Sequence, residues 1–260
     1  MSTATLTPPQ LDEKPPVDIN ILSDQEKKEL ITADAVSVLS GATIDASELS
    51  FTPAKSYHIN AKGIPVLRLP SPPSELVTTI NNFDGTVAYQ SIREKRSSGN
   101  CVLTDAESHA LIATQYFFGP GKDPVLRRLD SGEGEDNVIK TVSKWTSRAQ
   151  KFSLHDGRTF EWEYKKEKGF GGQGKKGTAL VLTMNGSRIA ALIRNDGTRT
   201  PGSKSCSAGN GGELVLGDTV GGKEAISEEL VIATVLLMLK KEIDRRRTVQ
   251  VMMIASAVSA

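Results

Sequence analysis

Ten consecutive uncharged residues, Leu230-Val231-Ile232-Ala233-Thr234-Val235-Leu236-Leu237-Met238-Leu239, limit what this chain can fold into more than any other feature. Ser227 offers a helix cap before them, and Glu228 and Glu229 complement the positive end of a helix dipole. Lys240, Lys241, Arg245, Arg246 and Arg247 complement the other end, so the spacing predicts one helix over 227–247. At about 100° per residue its apolar positions fall on every side, and a helix apolar all round has to be buried. A bilayer does not supply that burial, because a spanning helix needs roughly 20 apolar residues. Burying the eight large side chains contributes on the order of 10 to 20 kcal/mol as an upper figure. The rest of the chain is therefore expected to form a complete surround.

Material for such a surround lies between residues 74 and 218. Apolar and polar residues alternate there with period two, and turn signals break the pattern, as in half-buried antiparallel strands. In Thr159-Phe160-Glu161-Trp162-Glu163-Tyr164-Lys165 the three rings share one face and the charges take the other. Asp84-Gly85, Asp156-Gly157, Asn185-Gly186 and Asp196-Gly197 are read as supplying the positive φ angles of tight hairpins, with Asn185-Gly186 joining strands at 179–184 and 187–194. Further strands are expected near 56–59, 65–69, 76–80, 87–93, 101–105, 110–118, 125–129, 138–143 and 213–216. No strand–helix–strand alternation appears, which makes the sheet antiparallel. The expected fold class is mainly β, a closed antiparallel barrel of about 12 strands around a C-terminal hydrophobic helix.

Three stretches carry a family resemblance: Gly99-Asn100-Cys101-Val102-Leu103-Thr104-Asp105, the strand Arg158-Thr159-Phe160-Glu161-Trp162, and the helix over 227–247. With the expected architecture, they make the chain resemble the tubby C-terminal-like superfamily, which includes tubby proteins, phospholipid scramblases and plant LURP-one-related proteins. Uncharacterised fungal members look most similar. The resemblance covers roughly residues 50 to 247 and implies a barrel threaded by a helix, with peripheral binding of anionic phospholipid headgroups as the implied activity. Two features depart from it. Two isolated cysteines replace the palmitoylated cluster of scramblases, and tubby's aromatic-rich C-terminal signature is missing.

Nine of the 12 prolines precede residue 74, so residues 1–48 read as a flexible Pro-rich N-terminal tail, interrupted at most by a short helix over 24–31 capped by Ser23. The barrel with its central helix is expected over 49–247, and 248–260 as a C-terminal extension. Lys plus Arg number 32 against 31 Asp plus Glu, a balance that speaks against a nucleic-acid partner. Cys101 and Cys206 are too few for a disulfide framework and read as reduced thiols. The opening residues carry neither a basic n-region nor an apolar h-region, so a cytoplasmic location, peripheral at membranes, is expected.

The chemistry-bearing motifs are sparse. Residues 169–175 match both G-x-G-x-x-G and G-x-x-x-x-G-K, but Lys176 stands where a phosphate loop needs Ser or Thr, and a strand follows where both nucleotide motifs need a helix. The segment reads as a flexible hairpin loop. Its flanks are basic, and Lys165, Lys166, Lys168, Lys175 and Lys176 are the candidate lipid-headgroup-binding residues, with Phe170 at the centre, against the plainer reading of a solvated turn. Residues 130–136 gather acids in a Gly-rich loop without the ordered ligand spacing of a calcium loop. His58, His109 and His155 lie far apart without H-E-x-x-H, and no G-x-S-x-G elbow or catalytic cysteine signature occurs, so no metal, cofactor or catalytic residue is expected. These readings lead to a monomeric, non-enzymatic module that binds anionic phospholipid headgroups peripherally. The alternatives are a protein–protein interaction module using Pro8-Pro9 and Pro15-Pro16, its partner unspecified, or a scramblase-like lipid transporter.

Overall fold

Every strand that contributes to the main sheet is hydrogen-bonded on both sides save one short edge strand, because the sheet closes on itself. The structure, a computed structural model, describes residues 19–39, 42–43, 51–65, 75–96, 98–121, 123–130, 135–221 and 226–258. In chain order the elements are α1 (Asp24–Leu39), β1 (Ala42–Thr43), β2 (Pro53–Ile59), β3 (Ile64–Pro65), β4 (Val77–Asn81), β5 (Val87–Ile92), β6 (Cys101–Asp105), β7 (Ala110–Gln115), β8 (Val125–Arg128), β9 (Val138–Thr141), β10 (Gln150–Ser153), β11 (Thr159–Lys168), β12 (Lys176–Met184), β13 (Ser187–Ile193), β14 (Cys206–Ala208), β15 (Gly212–Gly217) and α2 (Glu228–Val258). Going round the barrel, β2, β4 to β13 and β15 pair antiparallel, and β12 closes the ring against β11 from Phe160↔Met184 to Lys168↔Lys176. This is the closed twelve-strand antiparallel barrel expected from the period-two pattern. β1 adds itself parallel to β11, and β3 pairs with β14 in a separate two-stranded ribbon.

The barrel is filled by α2. Every residue from Leu230 to Leu239 is buried, none more than 7% exposed, against inward rings and branched chains from around the wall, among them Phe152, Phe160, Trp162, Leu182, Leu192 and Leu214. Phe152 and Phe160 stack at 5.1 Å. A closed wall is what satisfies a rod that is apolar on every side, since an open sheet covers one face only. Local turn chemistry agrees. Asn185 (φ 52°) and Gly186 (φ 79°) take the paired left-handed conformation of a two-residue hairpin. Asp196-Gly197 does not: Gly197 is absent from the positive-φ residues, and Asn195 folds the chain into a side-chain-capped turn through its Oδ1, which accepts from the N–H groups of Gly197 (2.9 Å) and Thr198 (3.1 Å). That turn leads away from β13 toward β14.

Two boundaries differ from the sequence reading. α2 does not stop at residue 247 but continues to Val258, a helix of 31 residues, about 46 Å long. Its charged stretch leaves the barrel and meets a second helix. α1 runs to Leu39, not 31, and is no tail: Leu22 and Leu30 bury themselves against Val249 and Met252, flanked by Ile19, Phe118 and Trp145. Ser23 caps it as expected, its Oγ accepting from the Glu26 N–H (3.3 Å) while the Glu26 carboxylate reaches back to the Ser23 N–H (3.0 Å). A buried ion pair, Arg246 Nη1 to Asp34 Oδ2 at 2.8 Å, and a bond from Thr146 Oγ1 to Glu29 Oε2 at 2.9 Å complete the docking. The Pro-Pro segments and, of the expected strand over 65–69, residues 66–69 lie outside the described residues, while Pro65 ends β3.

Candidate functional site

Because neighbouring strands alternate in direction, the barrel's connections divide between two ends. At the end where α2 enters, the β4–β5, β6–β7, β8–β9, β10–β11 and β15–α2 connections carry Asp84, Glu107, Asp130, Asp136, Asp156 and Asp218, all exposed. Arg158 there pairs with Asp156 at 2.6 Å and His155 with Asp136 at 2.9 Å. At the end where α2 leaves, Lys62, Lys95, Arg96, Lys144, Lys175 and Lys204 stand exposed on the connections, with Lys168 and Lys176 on the adjoining strand ends, against exposed Glu94, Asp123 and Asp196; α1, docked beside this end, adds Asp24, Glu26 and Glu29 against Lys27 and Lys28. A chain with almost no net charge is therefore strongly polar along its barrel axis.

The structure divides the five candidate lysines. Lys168, Lys175 and Lys176 are exposed at the tip of the β11–β12 hairpin, and no carboxylate pairs with them among the described residues. Lys166 is half-buried. Lys165 is buried, 6% exposed, with its Nζ 2.6 Å from Glu163 Oε1. Strand alternation puts Lys165 on the outer face with its cross-strand partner Ala179, a member of the small apolar cluster that Phe170 joins there. Nor is the glycine-rich loop a loose turn. Gly169 and Gly171 donate N–H bonds to the Lys175 carbonyl (2.9 and 3.1 Å), and Asn195 Nδ2 holds the Phe170 carbonyl at 3.2 Å. Phe170, the aromatic at the centre of the loop, folds onto the outer wall with Ala179, Val181 and Ala191, beside Phe51. Arg188 lies over both rings, 5.4 Å from Phe51 and 5.2 Å from Phe170, and pairs with buried Glu167. Gly177 makes the fold-back possible, since a Cβ there would stand 2.2 Å from the Gly171 nitrogen. The loop thus presents lysines on a fixed scaffold without an aromatic wedge.

Beneath this end lies a buried charged cluster that the sequence reading does not anticipate. Lys240, Lys241, Glu242, Arg245 and Arg246 are all buried, so they do not end the helix or face solvent. Arg194 binds Glu242 through both terminal nitrogens (2.9 and 3.0 Å), and the Gly209 N–H donates to the same carboxylate at 2.7 Å. Burial pushes the Glu242 carboxyl up to about 7, opposed by the Gly209 N–H and by Arg148, Arg245 and Arg246. Arg148 stacks on Tyr164 at 4.0 Å, and Arg245 Nη2 donates to the Ser147 carbonyl at 2.7 Å. A cavity of about 30 Å³ remains between Tyr164, Arg194, Ser207, Glu242 and Arg245, room for one or two waters. The signal was available in principle: a helix that must be enclosed carries its next turns through the mouth of the enclosure, whatever their charge.

The other candidate sites fare differently. Residues 131–134 of the acidic loop lie outside the described residues. Asp105, Glu107 and His109 bring one ligand atom each within 4.8 Å of one another on the β6–β7 turn, but they are largely exposed and Asp105 already bonds His109 at 2.9 Å. Among the described residues no helix is long and apolar enough to cross a membrane. A larger cavity, about 250 Å³, opens between α2 and the β3–β14 ribbon.

No protein-family model and no curated protein sequence matches the chain. Among solved structures, an X-ray structure of a protein from Arabidopsis thaliana matches 77% of this chain and 98% of its own, at 10% sequence identity and a TM-score of 0.39.

Proposed function

We propose that this protein is a non-enzymatic module that docks peripherally on anionic phospholipid headgroups through the end of the barrel where α2 emerges. The observation that carries the reading is the segregation of charge between the two ends, with Lys168, Lys175 and Lys176 exposed at the basic one and paired with no carboxylate among the described residues. A predominantly basic end on a protein with almost no net charge orients it toward an anionic surface, each lysine near the headgroups adding about 1 kcal/mol. The resemblance to the tubby C-terminal-like superfamily points the same way, and a twelve-strand barrel closed on a C-terminal helix agrees with it. Scramblase-like transport through a helical span has no candidate helix among the described residues.

Co-sedimentation with phosphatidylcholine vesicles, with and without phosphatidylserine, tests the proposal. Binding is expected to need the anionic lipid and to fall with added salt. Joint replacement of Lys168, Lys175 and Lys176 by Gln should weaken it by roughly 100-fold, three lysines at about 1 kcal/mol each. Lys165→Met, which removes a buried cation, should leave it unchanged. Equal, salt-insensitive sedimentation with neutral and anionic vesicles would overturn the reading.

A further inference from the structure

We infer that the cavity between α2 and the β3–β14 ribbon is a binding site for a small amphipathic anion, an acidic head on a short apolar body. The cavity holds about 250 Å³, just under the ~300 Å³ at which pockets for drug-sized ligands begin, so its occupant is smaller than those. Leu236, Leu239 and Ile243 of α2 and Ile64 of β3 form its apolar wall, Leu236, Leu239 and Ile64 each no more than 7% exposed. Gly209 keeps this corner tight, since a Cβ there would come within 2.2 Å of Ile243 Cγ1.

The remaining lining selects the sign of the head. Lys62, Arg93 and Lys240 contribute three cations, against the single carboxylate of Glu75. Glu75 spends one carboxylate oxygen on the Lys62 backbone N–H at 3.3 Å, and its carbonyl accepts from Arg93 Nη1 at 3.4 Å. Lys240 is buried and binds Asp244 one turn along the helix at 2.7 Å. Even so, burial, with Arg93 and Arg247 nearby, disfavours its ammonium form. An anion beside Arg93 and Lys240 relieves that deficit and a cation worsens it. A head bound there with its apolar body along Leu236 and Leu239 uses both halves of the lining. Cys206, half-buried on the rim, supplies a thiol that such a ligand would shield.

None of Lys168, Lys175 and Lys176 lines this cavity, so the test runs without vesicles and its result is separable from lipid docking. The probes are decanoate and, as the opposite charge on the same chain length, decylamine, both below micelle formation and titrated calorimetrically into the full chain. A second readout is alkylation of Cys206 by iodoacetamide in a Cys101→Ser background, followed by mass spectrometry. We expect saturable binding of decanoate, at least about ten-fold tighter than decylamine, and several-fold slower alkylation in its presence. Ser205→Trp, at an exposed position on the lining, and Arg93→Met should each weaken decanoate by about ten-fold or more while thermal melting by circular dichroism is preserved. The joint Gln variant of the three hairpin lysines should bind decanoate unchanged. The inference is overturned by a cleft that takes neither probe, by decylamine binding as tightly as decanoate, or by full decanoate affinity in the Ser205→Trp protein.

Discussion

Thr234 is the one hydroxyl in the apolar stretch of α2, and it is wholly buried. Its Oγ1 accepts the indole N–H of Trp162 at 2.9 Å and lies 2.9 Å from the Leu230 carbonyl and 3.0 Å from that of Val231. Trp162 is itself fully enclosed, so the threonine lets the largest ring of the wall face the helix without a stranded donor. Thr234→Val keeps the shape and removes the acceptor. Chemical denaturation should register a loss of about 1–3 kcal/mol, the cost of an unsatisfied buried donor. Lys241 poses the opposite problem. Its Nζ donates to Gln150 Oε1 and, at 3.4 Å, to the Lys144 carbonyl, both neutral, while burial and the nearby Arg245 push its pKa down to about 7, with Asp123 opposing. Since its ordinary value is 10.5, the unfolded chain holds more protons than the native one between pH 7 and 10.5. This group therefore makes the protein more stable as pH rises through that window. Lys241→Met should flatten the stability profile there, by an amount on the order of a few kcal/mol between the two ends. Denaturant midpoints at pH 6 and pH 10 provide the measurement, and an unaltered profile would show that the ammonium is not held at a cost.

Among the elements, α1 illustrates how a weak sequence signal becomes a fixed structure. Its capping box is readable from Ser23 and Glu26, but its apolar face is thin, and an isolated helix of 16 residues is marginal in water. What holds it is α2, whose overrun past residue 247 supplies Val249 and Met252 as partners for Leu22 and Leu30, while Arg246, just before that overrun, pairs with Asp34. Leu30→Ala should cost about 2–5 kcal/mol locally. The expected readout is faster amide exchange and limited proteolysis within 24–39, with the barrel strands still protected. Uniform loss of protection throughout would mean that α1 and the barrel unfold as one unit. The β11–β12 hairpin makes a related point: its lysines are held in place by Phe170, Arg188 and Glu167 on the outer wall, a contact made possible by a glycine at 177.

At the scale of the molecule, wall and helix are each incomplete alone: the wall encloses a channel that only α2 fills, and α2 is apolar on every side. A chain ended after Ile226 should lose cooperative thermal unfolding by calorimetry and its near-ultraviolet dichroism, because twelve inward faces then lack a partner. A cooperative transition in that truncated chain would refute the interdependence. The barrel was legible in advance because period-two alternation, Asn-Gly turn chemistry and an all-round apolar run are local properties that survive without knowledge of partners. Strand β10 was missed because Gln150-Lys151-Phe152-Ser153 offers a single apolar residue, Phe152, and is a strand only by virtue of β9 and β11 beside it. The candidate lysines were legible as a basic run, whereas their separation into exposed Lys168, Lys175 and Lys176, half-buried Lys166 and buried Lys165 depended on which face each took. Sequence alone determined that an apolar helix requires an enclosing antiparallel wall, since hydrophobic periodicity is written residue by residue. Only the tertiary structure decided that Lys240, Lys241, Arg245 and Arg246 are buried, that α1 docks on this part of α2, and that charge separates between the barrel's ends, because burial and field depend on neighbours that are distant in the chain.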